Sequence, residues 1–167
     1  LASAESLLSR LGALSANGEI TEVGRRMVRF PVHPRLAKLM LEGDARGVGE
    51  DATVLAALLS ERDIRATRPF AESRRYDGAT ARSDLLLRLE LFQEAEGSGF
   101  SSSSARAIGL HFDRVRSVER ARKHLSRTLN ASPAKSLNQT EWENALLISL
   151  LAAFPDRVAR RKRPGSR

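Results

Sequence analysis

Residues 105–129 read ARAIGLHFDRVRSVERARKHLSRTL and carry apolar side chains three and four residues apart. The apolar positions are Ile108, Phe112, Val115, Val118, Ala121, Leu125 and Leu129. This spacing is typical of one face of an α-helix, because a helix turns once in about 3.6 residues. The pattern predicts a single helix over residues 105–129, which at about 1.5 Å per residue would be roughly 37 Å long.

The other sides of this predicted helix are basic. Between residues 106 and 127, seven lysine and arginine residues stand against only Asp113 and Glu119. Guanidinium groups bind phosphate with paired hydrogen bonds, so a basic helix face suggests a polyanionic partner. The alternative is a solvated face stabilised by pairs such as Glu119 and Lys123, four residues apart.

Composition narrows the class of protein. The 167 residues have a net charge of +8 and are 41% hydrophobic but only 5% aromatic. Leucine, alanine and arginine are frequent, and these residues favour helices. The sequence has no cysteine, which excludes a disulfide scaffold and a catalytic thiol and favours a cytoplasmic location. No apolar run reaches the roughly 18 residues of a membrane span.

The two ends of the chain suggest a fragment. The chain starts at Leu1, inside a predicted helix, and six basic residues lie between residues 157 and 167. We interpret residues 161–167 as a basic tail at the cut end of a longer protein.

The first 47 residues predict three short helices. The first covers residues 2–14, the second follows the N-cap Thr21, and the third begins at Pro34, a residue that suits the first helical position. An extended piece at residues 19–20 separates the first two helices. This order resembles a degenerate winged-helix domain over residues 1–47, and a plain three-helix unit is the alternative.

Residues 48–160 predict a helical bundle. Residues 51–60 predict a buried helix, and Ser83 caps a further one. Residues 141–154 are apolar nearly all round and predict the helix at the centre of the bundle, with a capping box from Thr140 and Glu143. The fold class is therefore mostly α, with a winged-helix domain followed by a bundle that contains one long helix.

Two polar segments interrupt the predicted bundle. Residues 61–81 predict a long loop that contains several arginines, and such loops in compact domains are often functional. Residues 97–104 predict a glycine–serine linker.

Catalytic groups are missing from the sequence pattern. His33, His111 and His124 lie far apart, without the spacing of metal ligands. The glycine-rich stretch 43–49 lacks the preceding strand and the lysine of a phosphate-binding loop, so it predicts a turn between helices. We expect no catalytic residue, metal or cofactor in this chain by itself.

Five segments resemble one family. LSRLGAL at 8–14, ITEVGRRM at 20–27 and FPVHPRLAKLML at 30–41 resemble the helicase-associated region of DEAH-box helicases. LAALLSERD at 55–63 and FPDRVARR at 154–161 resemble the bacterial HrpB branch of that family. The resemblance covers nearly the whole chain, with the segments in order.

The resemblance implies a role. In that family two RecA-like lobes of the same chain precede this region, bind ATP and Mg²⁺, and hydrolyse the nucleotide. The winged-helix domain packs on the lobes and transmits their movement, and a ratchet-like helical bundle contacts the backbone of single-stranded nucleic acid. The chain is then a non-catalytic part of an ATP-dependent RNA helicase.

We predict that the strand-facing surface consists of arginines in the loop and on the long helix. These are Arg62, Arg65, Arg68, Arg114 and Arg122. A DNA-binding winged-helix regulator is an alternative, although its recognition helix would have to be residues 34–41, which are rich in leucine and methionine. A helical protein-interaction adaptor is a further alternative.

Overall fold

The computed structural model describes residues 2–66 and 83–158. Eight α-helices lie within these residues: α1 (Ala2–Arg10), α2 (Glu22–Met27), α3 (Pro34–Ala45), α4 (Gly49–Ser60), α5 (Asp84–Gly97), α6 (Ser102–Ala107), α7 (Phe112–Leu129) and α8 (Gln139–Ala153). The mostly helical fold predicted from composition is confirmed. Arg68, most of the predicted loop 61–81 and the basic tail 161–167 lie outside the described residues.

The segment between α1 and α2 forms a short antiparallel pairing. The amide of Ser15 donates to the carbonyl of Glu19 at 2.8 Å, and the amide of Thr21 donates to the carbonyl of Ala13 at 3.0 Å. The side chain of Thr21 then accepts a hydrogen bond from the amide of Gly24, which confirms Thr21 as the N-cap of α2. A Cβ atom at Gly24 would collide with the carbonyl of Ala13, so α2 can approach the pairing only with glycine there.

The predicted first helix is too long. α1 ends at Arg10 because Gly12 adopts a positive φ of 71°, a left-handed conformation that stops a helix. The third predicted helix is confirmed, since α3 begins at Pro34.

The bundle is centred on α4, not on the last helix as the sequence pattern predicts. Eight of the twelve residues of α4 are buried, and it packs against α3, α5, α7 and α8. α8 meets mainly α3, and its opposite side exposes Ile148 and Leu151, with about half of each residue accessible to solvent. Apolar composition all round a helix therefore did not identify the centre. Small side chains on α4, such as Ala52 and Ala56, allow neighbouring helices to approach it closely.

The single long helix predicted over residues 105–129 is wrong, because the chain breaks into α6 and α7. Gly109 between them has a φ of 77°. The amide of Leu110 donates back to the carbonyl of Ala105, which closes the end of α6. α7 is then 18 residues long, or roughly 27 Å.

The break places residues 109–111 beside residues 64–66. The amide of Ala66 donates to the carbonyl of Gly109, and the amide of His111 donates to the carbonyl of Ile64, both at 2.8 Å. These hydrogen bonds satisfy backbone groups that a continuous helix would have paired internally.

Two further local predictions are corrected. Residues 97–104 are not a linker: α5 runs to Gly97, Phe100 contacts Phe92 with ring centroids 5.4 Å apart, and α6 starts at Ser102. The capping box of α8 is formed by Asn138 and Glu141 rather than by Thr140 and Glu143. Both pairs have the same spacing, and asparagine is at least as good an N-cap as threonine.

Arg35 joins the start of α3 to the end of α8 and the residues that follow it. Its guanidinium, at the start of α3, donates to both carboxylate oxygens of Asp156 at 2.6 and 2.8 Å and to the carbonyl of Ala153 at 3.1 Å. It also lies 5.3 Å from the ring centroid of Phe154. The third and the last of the five segments that carry the family resemblance thus contact each other. The division into residues 1–47 and 48–160 stays a prediction.

No helix in the described ranges is both long and apolar enough to cross a membrane.

Candidate nucleic-acid interface

Arg114 and Arg122, both predicted to face a nucleic-acid strand, make contacts inside the protein. The guanidinium of Arg114 donates to the carbonyl of Asp63 at 2.8 Å and so holds the segment 62–66 against the start of α7. Arg122 donates to both carboxylate oxygens of Glu119, at 2.7 and 3.0 Å, and pairs with Glu96 of α5 at 3.0 Å.

Glu119 is the buried acid at the centre of these contacts. Only 3% of its surface is exposed, and Lys123 approaches it at 3.0 Å in addition to Arg122. Burial raises the pKa of the Glu119 carboxyl, but hydrogen bonds from Arg122 and Lys123 outweigh burial, so the pKa is lowered from its ordinary value. Glu119 is therefore ionised and fully partnered at neutral pH.

The predicted arginines of the loop have different surroundings. Arg65 pairs with Asp63 at 2.8 Å and with Asp84 at the start of α5 at 2.6 Å. Arg62 is exposed and makes no hydrogen bond or ion pair with the residues that the structure describes. Arg65 and Arg114 meet at Asp63, whereas Arg122 lies two turns further along α7.

A second set of cations lies on the solvent side of α7. It comprises Arg116, Arg120, Lys123 and Arg127, which we call the outer row. Spacings of four, three and four residues place the set along one edge of the helix over roughly 16 Å. All four residues are exposed, while Val115, Val118 and Leu125 of the same helix are buried.

The outer row is only lightly partnered. Arg116 and Arg127 have no hydrogen bond or ion pair to any described residue, and Arg120 contacts only the hydroxyl of Ser117, at 3.1 Å. Lys123 pairs with Glu119, yet 59% of its side chain is exposed. The sequence contained the signal for this row, since its members recur at helical spacing. The prediction chose Arg114 and Arg122 because they cluster beyond the apolar face, and their acceptors Asp63 and Glu96 lie on other segments that the helix pattern does not reveal.

A second basic patch lies on α2 and just after it. Arg25, Arg26 and Arg29 are exposed there, but Glu19 and Glu22 are exposed close by in sequence, and Arg25 lies 4.0 Å from Glu22. This patch therefore mixes both signs of charge.

α3 does not have the surface of a DNA-reading helix. Six of its twelve residues are buried, and its two basic side chains are committed, Arg35 to Asp156 and Lys38 to Glu42 at 2.8 Å. A recognition helix needs free polar side chains that reach base edges. The geometry counts against the DNA-binding regulator.

Aromatic rings are not presented for base stacking. Trp142 is partly buried and donates its indole N–H to Asp51 at 2.7 Å. Among the described residues no phenylalanine or tryptophan is exposed. The described surface is thus suited to phosphates rather than to stacked bases.

Asp51, which accepts the hydrogen bond of Trp142, is itself largely enclosed. Burial raises the pKa of the Asp51 carboxyl, and the hydrogen bonds from Trp142 and Gln93 only partly oppose this effect.

No group of histidine, aspartate and glutamate side chains in the described ranges could hold a metal ion.

Two similarities to known proteins agree with this arrangement. Residues 4–32, which include most of α1, the short pairing and α2, match the family model of the helicase associated domain (HA2), winged-helix. The chain is also 29% identical, over an alignment of 198 positions, to a Caenorhabditis elegans protein named "Putative ATP-dependent RNA helicase rha-2". The alignment covers 96% of this chain and 17% of that relative, so the chain spans less than a fifth of the relative's length. Together the two similarities support the interpretation of this chain as a DEAH-box helicase-associated region, without distinguishing the bacterial HrpB branch.

Proposed function

We propose that this chain is the non-catalytic accessory region of an ATP-dependent RNA helicase of the bacterial HrpB type. In this proposal two RecA-like lobes of the same cytoplasmic protein bind ATP and Mg²⁺, and the present region couples their movement to a single strand held by its backbone. The observation that carries the proposal is the similarity to an RNA helicase along 96% of the chain.

The charged residues on the surface support sequence-independent binding of a nucleic-acid strand. A motor that moves along any sequence needs contacts with phosphates, because base contacts would stop it at particular sites. Exposed arginines on α2 and α7 can supply such contacts, and the absence of exposed aromatic rings from the described surface disfavours stacking on bases.

The five arginines predicted from sequence keep different places in the proposal. Arg62 is exposed and can contact phosphate directly. Arg65, Arg114 and Arg122 are tied to carboxylates or to a carbonyl, so we propose that they position the segment 62–66 and α7. Arg68 stays a predicted contact.

A protein-interaction adaptor is the second candidate function, and one observation favours it. Ile148 and Leu151 are exposed on α8, and Val158 beyond it is 65% exposed. A partner protein could cover this apolar side.

Binding measured by fluorescence anisotropy would test the proposal. The chain is titrated against a labelled single-stranded RNA, a DNA of the same sequence, a second RNA of unrelated sequence, and a duplex, each at low and at moderate salt. We expect similar affinities for the two RNAs, weaker binding to the duplex, and a steep loss of affinity with salt, because released counterions drive phosphate binding. Tight binding to one duplex would favour a regulator, and no binding at low salt would favour the adaptor.

A further inference from the structure

We infer that the outer row of α7 is the track on which the backbone of single-stranded RNA lies. This inference rests on the proposed function, but it goes further because it assigns the contact to one edge of one helix: Arg116, Arg120, Lys123 and Arg127. All four belong to the basic helix noted in the sequence, but none is among the five arginines predicted to face the strand.

The first argument is geometric. The four side chains follow one straight edge of α7, and neighbours in the row are separated by roughly 4.5 to 6 Å along the helix axis. A flexible single strand can align successive phosphates with such an edge. The phosphates of a duplex follow a curved path that leaves a straight edge, so a duplex would engage fewer of the four cations.

The second argument concerns the cost of the row to the helix. Arg116 and Arg120, and likewise Lys123 and Arg127, are like charges four residues apart, an arrangement that destabilises a helix. A helix surface that only needs to be soluble usually alternates positive and negative residues. α7 has two acids in 18 residues: Glu119 is buried, and Asp113 lies one turn before the row. The repulsion along this edge is compensated only by the pair of Lys123 with Glu119 and by Asp113 at one end, and it is explained if a polyanion binds there.

The third argument is that α7 is held firmly under the row. Glu119, Arg122 and Glu96 link its middle to α5. Arg114 links its start to the segment 62–66 through the carbonyl of Asp63. Arg114 and Arg122 therefore fix the position of α7 in the bundle. The side chains of the outer row do not have this task and are available to a ligand.

The patch on α2 fits a polyanion less well. Glu22 lies 4.0 Å from Arg25, and Glu19 is exposed nearby, so a phosphate strand would meet both signs of charge there. The same patch supplies a matched control, because it also contains three exposed arginines.

The experiment compares two triple variants of the chain that lose the same amount of charge. The row variant carries Arg116→Gln, Arg120→Gln and Arg127→Gln, and the control variant carries Arg25→Gln, Arg26→Gln and Arg29→Gln. Binding to a short mixed-sequence single-stranded RNA and to the matching duplex is measured by anisotropy over a series of salt concentrations. Circular dichroism and thermal unfolding establish that both variants fold like the wild type.

We expect the row variant to bind the single strand at least about tenfold more weakly at low salt. The slope of log K against log salt should decrease by roughly 2, because each phosphate contact on a single strand contributes about 0.7. The control variant should stay within about threefold of the wild type with an unchanged slope.

Three outcomes would overturn the inference. An equal loss in both variants would mean that net charge, not the row, drives binding. Wild-type affinity in the row variant would place the contact elsewhere while leaving the proposed function intact. A row variant that lost only duplex binding would make the ligand a duplex. The proposed grip itself fails separately, if the wild-type chain binds no single strand at low salt.

Discussion

Arg120 and Arg122 lie two residues apart on α7, yet their side chains have different surroundings. Arg122 points towards α5 and is held by Glu119 and Glu96, with 22% of its side chain exposed. Arg120 is exposed, and within the part of the chain that the structure describes it donates a hydrogen bond only to the hydroxyl of Ser117. A helix turns by about 100° per residue, so two positions along the chain move a side chain from the core side to the solvent side.

This contrast shows how one residue type serves two purposes on one helix. Inner arginines have acceptors supplied by the protein, so their removal should change stability. Outer arginines have none of comparable strength within the described residues, so their removal should change only what the protein binds. The predictions below test that division.

The largest effect is expected for Arg122→Ala. The substitution leaves Glu119 buried with one cation fewer, and we expect a loss of about 2 kcal/mol in the free energy of unfolding. Breaking a fully buried pair costs more, about 3–5 kcal/mol, but Lys123 remains beside Glu119 and Arg122 is partly solvated. Urea unfolding measures the change. Equal free energies of unfolding for Arg122→Ala and Arg120→Ala would contradict the claim that the partnered arginines stabilise the fold and the exposed ones do not.

The next effect depends on pH. The pKa of Glu119 is lowered in the folded state from its ordinary value of 4.5. Its ionised form therefore stabilises the fold fully above pH 4.5, and this contribution is lost as pH falls through the lowered pKa. We expect Glu119→Gln to be less stable than the wild type by about 1.5 kcal/mol at pH 7. The difference should shrink below pH 4.5 in urea unfolding at a series of pH values, and a constant difference would contradict the ionised pair.

Arg114→Ala is expected to cost about 1 kcal/mol, the typical value of one hydrogen bond. The effect should be local, because the lost bond holds residues 62–66 to α7. Hydrogen exchange should become faster at the amide of Ala66, which donates to the carbonyl of Gly109, and at the amide of His111, which donates to the carbonyl of Ile64. Unchanged exchange at both amides would show that Arg114 does not brace the segment.

The smallest effect is expected for the outer row. Single substitutions Arg116→Ala and Arg127→Ala should change the free energy of unfolding by less than about 0.5 kcal/mol. A slight gain is reasonable, since alanine favours helices and the like-charge repulsion is relieved. A loss above about 1 kcal/mol in thermal unfolding would place these residues among the structural arginines.

The parts of the fold that could be predicted from the sequence are those decided by neighbours along the chain. Thr21 caps α2 and Pro34 starts α3, because capping and proline geometry act within a few residues. The glycine-rich stretch 43–49 does contain a turn between helices, with Gly47 at a φ of 81°, although only residues 46–48 lie outside α3 and α4.

The break at Gly109 could not be predicted in the same way. The apolar spacing continues through it, and one glycine within a helical pattern is tolerated often enough that periodicity dominates. What decides the break is pairing with residues 64–66, which lie more than forty residues away. Similarly, α8 carries apolar residues on its exposed side as well as on its packed side, so its composition does not show that it lies at the edge of the bundle. Only the packing of the helices shows that α4 is the central one.

For the candidate site, the sequence was enough to identify the basic helix, but not to show which of its cations face solvent without a strong partner. Arg114 finds its acceptor on a main-chain carbonyl 51 residues earlier, and no pattern of residue types marks such a carbonyl. Arg122 finds one of its two acids on α5. The outer row, in contrast, differs from Arg114 and Arg122 in having few hydrogen-bond or ion-pair partners among the described residues. This difference can be seen only when the positions of the neighbouring segments are known.

The bond between Arg35 and Asp156 also has a meaning for the order in which the protein is made. These residues are 121 positions apart, and α8, which packs on α3, is among the last parts of the described chain to be synthesised. Until Asp156 has left the ribosome, Arg35 has no carboxylate partner there and α3 lacks its cover. Closing so long a loop is slow, because chain entropy opposes contacts between distant residues. α3 therefore gains its carboxylate partner and the packing of α8 only after residues 139–156 have been synthesised.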